Sequence, residues 1–157
     1  MIDLTLNVNG KSKSMSVEGH ETLLDVLRTQ MGLTGSKRGC NQGVCGSCNV
    51  LLDGKAARSC LFLAAMAAGR SVVTIEGLAD DGKLTSVQQA FVDTGAIQCG
   101  FCMPGMVVAA TALLAEDPCP DDDAIREGLA GNLCRCSGYV KVAEAVRLAA
   151  NIAGSEG

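Results

Sequence analysis

Nine cysteines in a chain of 157 residues with a single histidine carry most of the chemistry this sequence can offer. Eight fall into two groups, Cys40, Cys45, Cys48 and Cys60 in the first half and Cys99, Cys102, Cys134 and Cys136 in the second. Cys119 is left over, between Pro118 and Pro120. A disulfide framework fits this count poorly: nine is odd, and Met1 to Gly10 alternates polar and apolar residues without the basic and then apolar run of a secretory signal. Thiolate binding of metal is the first expectation.

Cys40-x4-Cys45-x2-Cys48, followed after eleven residues by Cys60, is the spacing that holds a 2Fe-2S cluster in plant-type ferredoxins. Gly39, Gly43 and Gly46 lie in that loop, where a missing Cβ lets the backbone fold tightly and turn its N–H groups toward sulfur. A zinc knuckle is the alternative, but zinc sites favour paired short gaps over a gap of four followed by a gap of two. Cys99-x2-Cys102 with Cys134-x-Cys136 is less specific, because two short pairs serve zinc equally well.

The elements that must position these residues change character midway. Ile2, Leu4, Leu6 and Val8 alternate with polar residues, Asn9-Gly10 supplies a positive-φ turn, and Met15 and Val17 resume the alternation, which predicts a hairpin. Thr22 with Asp25 starts a helix carrying Leu23, Leu24, Val26 and Leu27, ended by Gly32. Val50-Leu51-Leu52, an Asp53-Gly54 turn and the stretch Val72 to Ile75 read as short strands, so the first half is a small sheet carrying a helix. The polar, glycine-bearing segment from Glu76 to Lys83 reads as a connection between two packed units. Beyond it Val87, Ala90, Phe91 and Thr94 recur at helical spacing behind a cap at Thr85 or Ser86. Pro104 opens a helix over 105–116, and further helices are expected over 122–130 and 139–152, with Asp121, Asp122 and Asp123 at the start of the former. The order helix, cysteine pair, helix occurs twice, which predicts two helix hairpins converging four thiolates at one end of a four-helix bundle. Each pair precedes a helix, so positive helix ends near Pro104 and Tyr139 would face the thiolates and favour an electron-accepting centre over zinc.

Gln98-Cys99-Gly100-Phe101-Cys102-Met103-Pro104-Gly105-Met106, with Gly131-Asn132-Leu133-Cys134-Arg135-Cys136-Ser137-Gly138-Tyr139, resembles the iron-sulfur subunit of the molybdenum hydroxylases. That family includes xanthine dehydrogenase, aldehyde oxidases, aerobic carbon monoxide dehydrogenase and the bacterial N-heteroaromatic hydroxylases. The resemblance covers nearly the whole chain, both halves in order. It implies an α+β chain, a ferredoxin-like β-grasp domain over 1–78 followed by an all-α four-helix-bundle domain over 79–157, each with one 2Fe-2S cluster. It also implies that the cluster of Cys99, Cys102, Cys134 and Cys136 lies next to the molybdopterin of a large catalytic subunit. Gln98 would hydrogen-bond the pterin through an amide that both donates and accepts. The cluster of Cys40, Cys45, Cys48 and Cys60 would face the next acceptor, an FAD-binding subunit in many members. Val44 stands at a position often acidic in the family and Asn49 at one often threonine; neither change removes a ligand, and both would alter polarity near the first cluster.

The expected function is electron relay from molybdopterin through two 2Fe-2S clusters to FAD or another acceptor, as the subunit of an oxidoreductase that does not itself bind substrate. A freestanding two-cluster ferredoxin and a zinc-stabilised interaction module are the alternatives. A net charge of -4 with only thirteen Lys and Arg argues against nucleic acid. No run approaches ~18 apolar residues, so no membrane insertion is expected, and the absence of targeting signals points to the cytoplasm. No GxGxxG or Walker loop is present, and one histidine, His20, gives little to a His-based triad. Lys37, Arg38 and Arg135 read as solvated cations near the ligands, and Phe101, Met103 and Met106 as a partly exposed apolar patch facing a partner.

Overall fold

In the computed structural model, which describes residues 1–155, the period-two alternation of the first strands turns Leu6, Val8 and Val17 inward. They belong to a hairpin of β1 (Ile2–Val8) and β2 (Lys11–Val17), closed by Asn9 at φ 52° and Gly10 at φ 73°. β1 also pairs in parallel with β5 (Ser71–Val73), and β3 (Asn49–Leu52) runs antiparallel between β5 and β4 (Lys55–Arg58). The sheet order is β2-β1-β5-β3-β4. β4 has no alternation for a sequence to reveal; it forms because Asp53 and Gly54, both at positive φ, fold the chain back on β3. α1 (Leu23–Thr29) starts at a capping box in which Thr22 and Asp25 bond each other's backbone N–H. Its Leu23, Val26 and Leu27 pack with Leu6, Val50, Leu52 and Val72 to form the first core.

The strand expected over Val72 to Ile75 stops at Val73. The side chain of Asn9 accepts the Thr74 N–H at 2.9 Å and donates to its hydroxyl at 3.0 Å, and Ile75–Gly77 coils into a 3-10 turn. The connecting segment begins packed: Ile75 and Leu78 rest on the helical core.

Four helices follow, α2 (Ser86–Asp93), α3 (Met103–Glu116), α4 (Asp122–Leu129) and α5 (Val140–Ser155). Thr85 and Gln88 form a second capping box, Pro104 sits in the first turn of α3, and Asp121 caps α4 by accepting the Ala124 N–H at 2.8 Å. Phe91, Met106, Ile125, Val142 and Val146 fill the second core. The helix expected from Tyr139 begins one residue later, because Tyr139 lies at φ 68°, outside helical geometry. The expected apolar patch shrinks to Phe101, at 47% exposure: Met103 and Met106 are 6% and 0% exposed, since α3 is wedged between the other helices and the first cysteine loop. α3 also lies against β3, where Leu51 meets Val108 and Ala112. The architecture is the α+β one expected, a ferredoxin-like sheet-and-helix unit joined to four helices. Among the described residues no helix is long and apolar enough to cross a membrane.

Candidate iron-sulfur centres

The first four cysteines come from the loop between α1 and β3 and, for Cys60, from the turn that follows β4. Arg38 pairs with Asp25 of the α1 capping box, and the Lys37 N–H donates to Ser47 O at 2.9 Å, which pins the loop at both ends. Within it Cys40 Sγ accepts N–H groups from Val44 and Cys45, each at 3.3 Å, and from Gln42 at 3.5 Å. Those donors, Cys45 and Gln42 foremost, hold the Cys40 thiol down at about 6. Cys48 and Cys60 pack against Leu24 in the interior, and burial reinforced by Cys48 pushes Cys60 up to about 11. A Cβ on Gly39 would stand 2.8 Å from Cys45 Sγ, so that position must be glycine if the loop is to close around its sulfurs.

The second four lie on two loops, α2 to α3 and α4 to α5, as the repeated layout predicts. Gln98, exposed, donates from Nε2 to Cys136 O at 3.2 Å and so ties one loop to the other. Burial pushes Cys102 up to about 12, with Cys134 beside it adding to the effect. For Cys134 burial works upward, but the Ser137 hydroxyl at 3.1 Å and N–H at 3.3 Å outweigh it and hold the thiol at about 7. Cys136 is raised by the neighbouring Cys99. The Tyr139 hydroxyl accepts the Cys134 N–H at 3.0 Å, which explains its left-handed backbone at the loop's end.

Among the described residues no three Cys, His, Asp or Glu side chains close around one ion position. Within each set the thiols act on one another instead: Cys48 and Cys40 raise Cys60, Cys134 and Cys99 raise Cys102, and Cys99 and Cys134 raise Cys136. Four neighbouring thiols per site is the donor set a binuclear iron centre takes, and amide donors aimed at sulfur suit its negative charge. The residues present therefore fit the group. A cavity of about 390 Å³ is lined by Cys99, Cys102 and Cys134 of the second site together with Gly39, Cys45 and Ser47 of the first loop. The Leu133 N–H donates across to Cys45 O at 2.9 Å.

The remaining residues singled out above fall outside the sites. His20 is exposed in a turn, and Cys119 is exposed with its N–H on Asp117 Oδ1 at 3.1 Å. Arg135 lines the shared cavity, and Lys37 donates to Thr34 O at 2.8 Å. Asn49 spends its amide on Gly105 O and Asn132 Oδ1 between the halves, so its change of polarity acts there rather than at the sulfurs. Sequence reasoning overlooked Ser137, although a hydroxyl one residue after a ligand cysteine is a readable signal, and Arg58, for which no local signal exists.

Residues 6–72 match the family described as 2Fe-2S iron-sulfur cluster binding domain, and residues 74–147 match the 2Fe-2S binding domain family. The chain is thus a two-cluster iron-sulfur protein. It is 46% identical over 148 residues to the nicotinate dehydrogenase small FeS subunit of Eubacterium barkeri, covering 94% of both chains. To the xanthine dehydrogenase iron-sulfur-binding subunit of Escherichia coli O157:H7 it is 47% identical, covering 92% of each. Its fold superposes with a TM-score of 0.93 on a chain of quinoline 2-oxidoreductase from Pseudomonas putida 86, at 46% identity over 98% of this chain and 96% of that one. The chain belongs to the family of iron-sulfur small subunits of the molybdenum hydroxylases.

Proposed function

We propose that this chain is the electron-relay subunit of a heteromeric molybdenum hydroxylase. It takes electrons from molybdopterin in a large catalytic subunit and passes them to FAD in another subunit or to another acceptor. Cys99, Cys102, Cys134 and Cys136 hold the 2Fe-2S cluster on the molybdopterin side, and Cys40, Cys45, Cys48 and Cys60 hold the one on the acceptor side. Each cluster, when bound, supplies one-electron redox chemistry. The residues of the chain do the rest. N–H groups of the first loop and Ser137 of the second donate to ligand sulfurs, and Phe101 and Leu133 line the cavity beside them. Gln98, anchored on Cys136 O, presents its amide to the pterin. The two domains divide after residue 78, as 1–78 and 79–157, the last two residues lying outside the described part. The complex works in the cytoplasm, where thiols stay reduced before the clusters are inserted.

The observation that carries this reading is that the two cysteine loops meet: Cys45 of the first lines the same cavity as Cys99, Cys102 and Cys134 of the second, and the Leu133 N–H donates to Cys45 O. Anaerobic isolation should yield a coloured protein with four irons per chain, from two binuclear clusters, and two distinct EPR signals on reduction. Cys102→Ser should halve the iron, remove one signal and stop reduction of the acceptor. Co-expression should recover a stable complex with a large molybdenum-containing chain. A colourless protein, or Cys102→Ser with wild-type turnover on the natural acceptor, defeats the proposal.

A further inference from the structure

Arg58, at the end of β4, touches both cysteine loops without supplying a ligand to either. Its guanidinium donates from Nε to Gly43 O at 3.2 Å, inside the first loop, and from Nη2 to Gly131 O at 2.5 Å, at the head of the second. A third donor reaches the side-chain oxygen of Asn49. Asn49 and Asn132 beneath it are 2% and 3% exposed. Asn49 Nδ2 donates to Asn132 Oδ1 at 3.2 Å, and Asn132 Nδ2 donates to Gly46 O at 3.3 Å. The knot therefore runs from the first loop to the second through an amide pair closed to water, where each unmade bond would be costly.

The backbones at this junction approach as closely as chemistry allows. A Cβ on Gly46 would meet Gly131 O at 2.6 Å, and one on Gly105 would collide with Gly46 O. None of the ion pairs among the described residues includes Arg58; its charge is spent on neutral oxygens on both sides of the junction. A planar fork of donors fixes direction as well as distance, which the apolar contact of Leu51 with Val108 and Ala112 does not.

We infer that Arg58 is a positioning residue for the relay: its fork, seated on Asn49, which in turn holds Asn132, sets the separation of the two cysteine loops. The inference rests on the relay reading above, and the step it serves moves one electron from the second site to the first with no bond made or broken. Transfer between two fixed centres slows exponentially with their separation and needs no contact of reacting atoms, so a change in the spacing of the loops reads out directly in the rate.

The test uses the assembled complex, comparing wild type with R58K, which keeps the charge but not the fork, and R58M, which keeps neither. With both clusters reduced, pulsed EPR measures the relaxation each imposes on the other, and rapid reduction of the oxidised complex measures the transfer rate between them. Both variants should hold four irons per chain, with altered relaxation and transfer slowed several-fold, and R58K should keep both midpoint potentials. R58K with wild-type relaxation and rate overturns the positioning role. If neither variant accumulates, N49T, which removes the amide and leaves Arg58, is read in the same way. Wild-type protein with fewer than four irons defeats the relay reading rather than this inference.

Discussion

The thiols of each site differ sharply in the company they keep. Cys40 and Cys134 receive N–H or O–H donors and are held at about 6 and about 7, whereas burial drives Cys60 and Cys102 to about 11 and about 12. A donor aimed at a ligand sulfur stabilises the more negative, reduced state and so raises the cluster's potential. Among the described residues, Ser137 supplies such a donor from a hydroxyl, at 3.1 Å from Cys134 Sγ. Ser137→Ala should therefore shift the midpoint potential of the second cluster to more negative values and leave the first unmoved. Redox titration followed by EPR reads both at once, and an unmoved second potential would show that the hydroxyl does not tune it.

At the scale of elements, α1 connects core to site. Its capping box uses Thr22 and Asp25, and the same Asp25 carboxylate receives Arg38 from the cysteine loop. Thr22→Ala should cost about 1 kcal/mol of stability, the usual worth of such a cap, measured by denaturant unfolding. Burial works to raise the Asp25 pKa, but the hydrogen bonds from Thr22 and Arg38 prevail and hold it below 3.8. A depressed carboxylate contributes stability that is present above its unfolded value of 3.8 and is lost as pH falls through the lower folded value. Acid titration of wild type against Asp25→Asn should thus show a stability difference that is constant near neutrality and closes only in strong acid. A difference that persists unchanged below that range would mean the carboxylate's charge contributes nothing.

At the scale of the molecule, the halves are joined by an apolar contact as well as by the polar knot. Leu51, 8% exposed, reaches from the sheet to Val108 and Ala112 of α3. Leu51→Ala should cost about 2–5 kcal/mol, as truncation of a buried leucine does. Because the lost contact bridges the halves, the unfolding of the two halves should separate further in the variant than in wild type. Far-UV circular dichroism against the visible cluster bands distinguishes these cases. Coincident transitions in the variant would mean that the polar knot couples the halves unaided.

Much of the site was legible because its signals are local. Ligand spacing lies within a loop, a cap answers three residues away, and an Asn-Gly turn declares its own φ; the hairpin, the first capping box, a cap at Thr85 and the placing of the cysteine pairs on loops between helices all follow from such relations, whereas the part Gln88 plays in the second box was not read. The departures have the opposite character. β5 ends at Val73 because Asn9, 65 positions away, captures Thr74. Tyr139 leaves its helix to serve the Cys134 amide, and Met103 and Met106 are buried by elements from both halves. Arg58 meets Gly131 across 73 positions, and Asn49 meets Asn132 across 83. Residue type and short-range spacing therefore determine which chemistry the sulfurs can perform. How near the two centres stand to each other depends on contacts between distant segments, which exist only once the packed halves have excluded water from their junction.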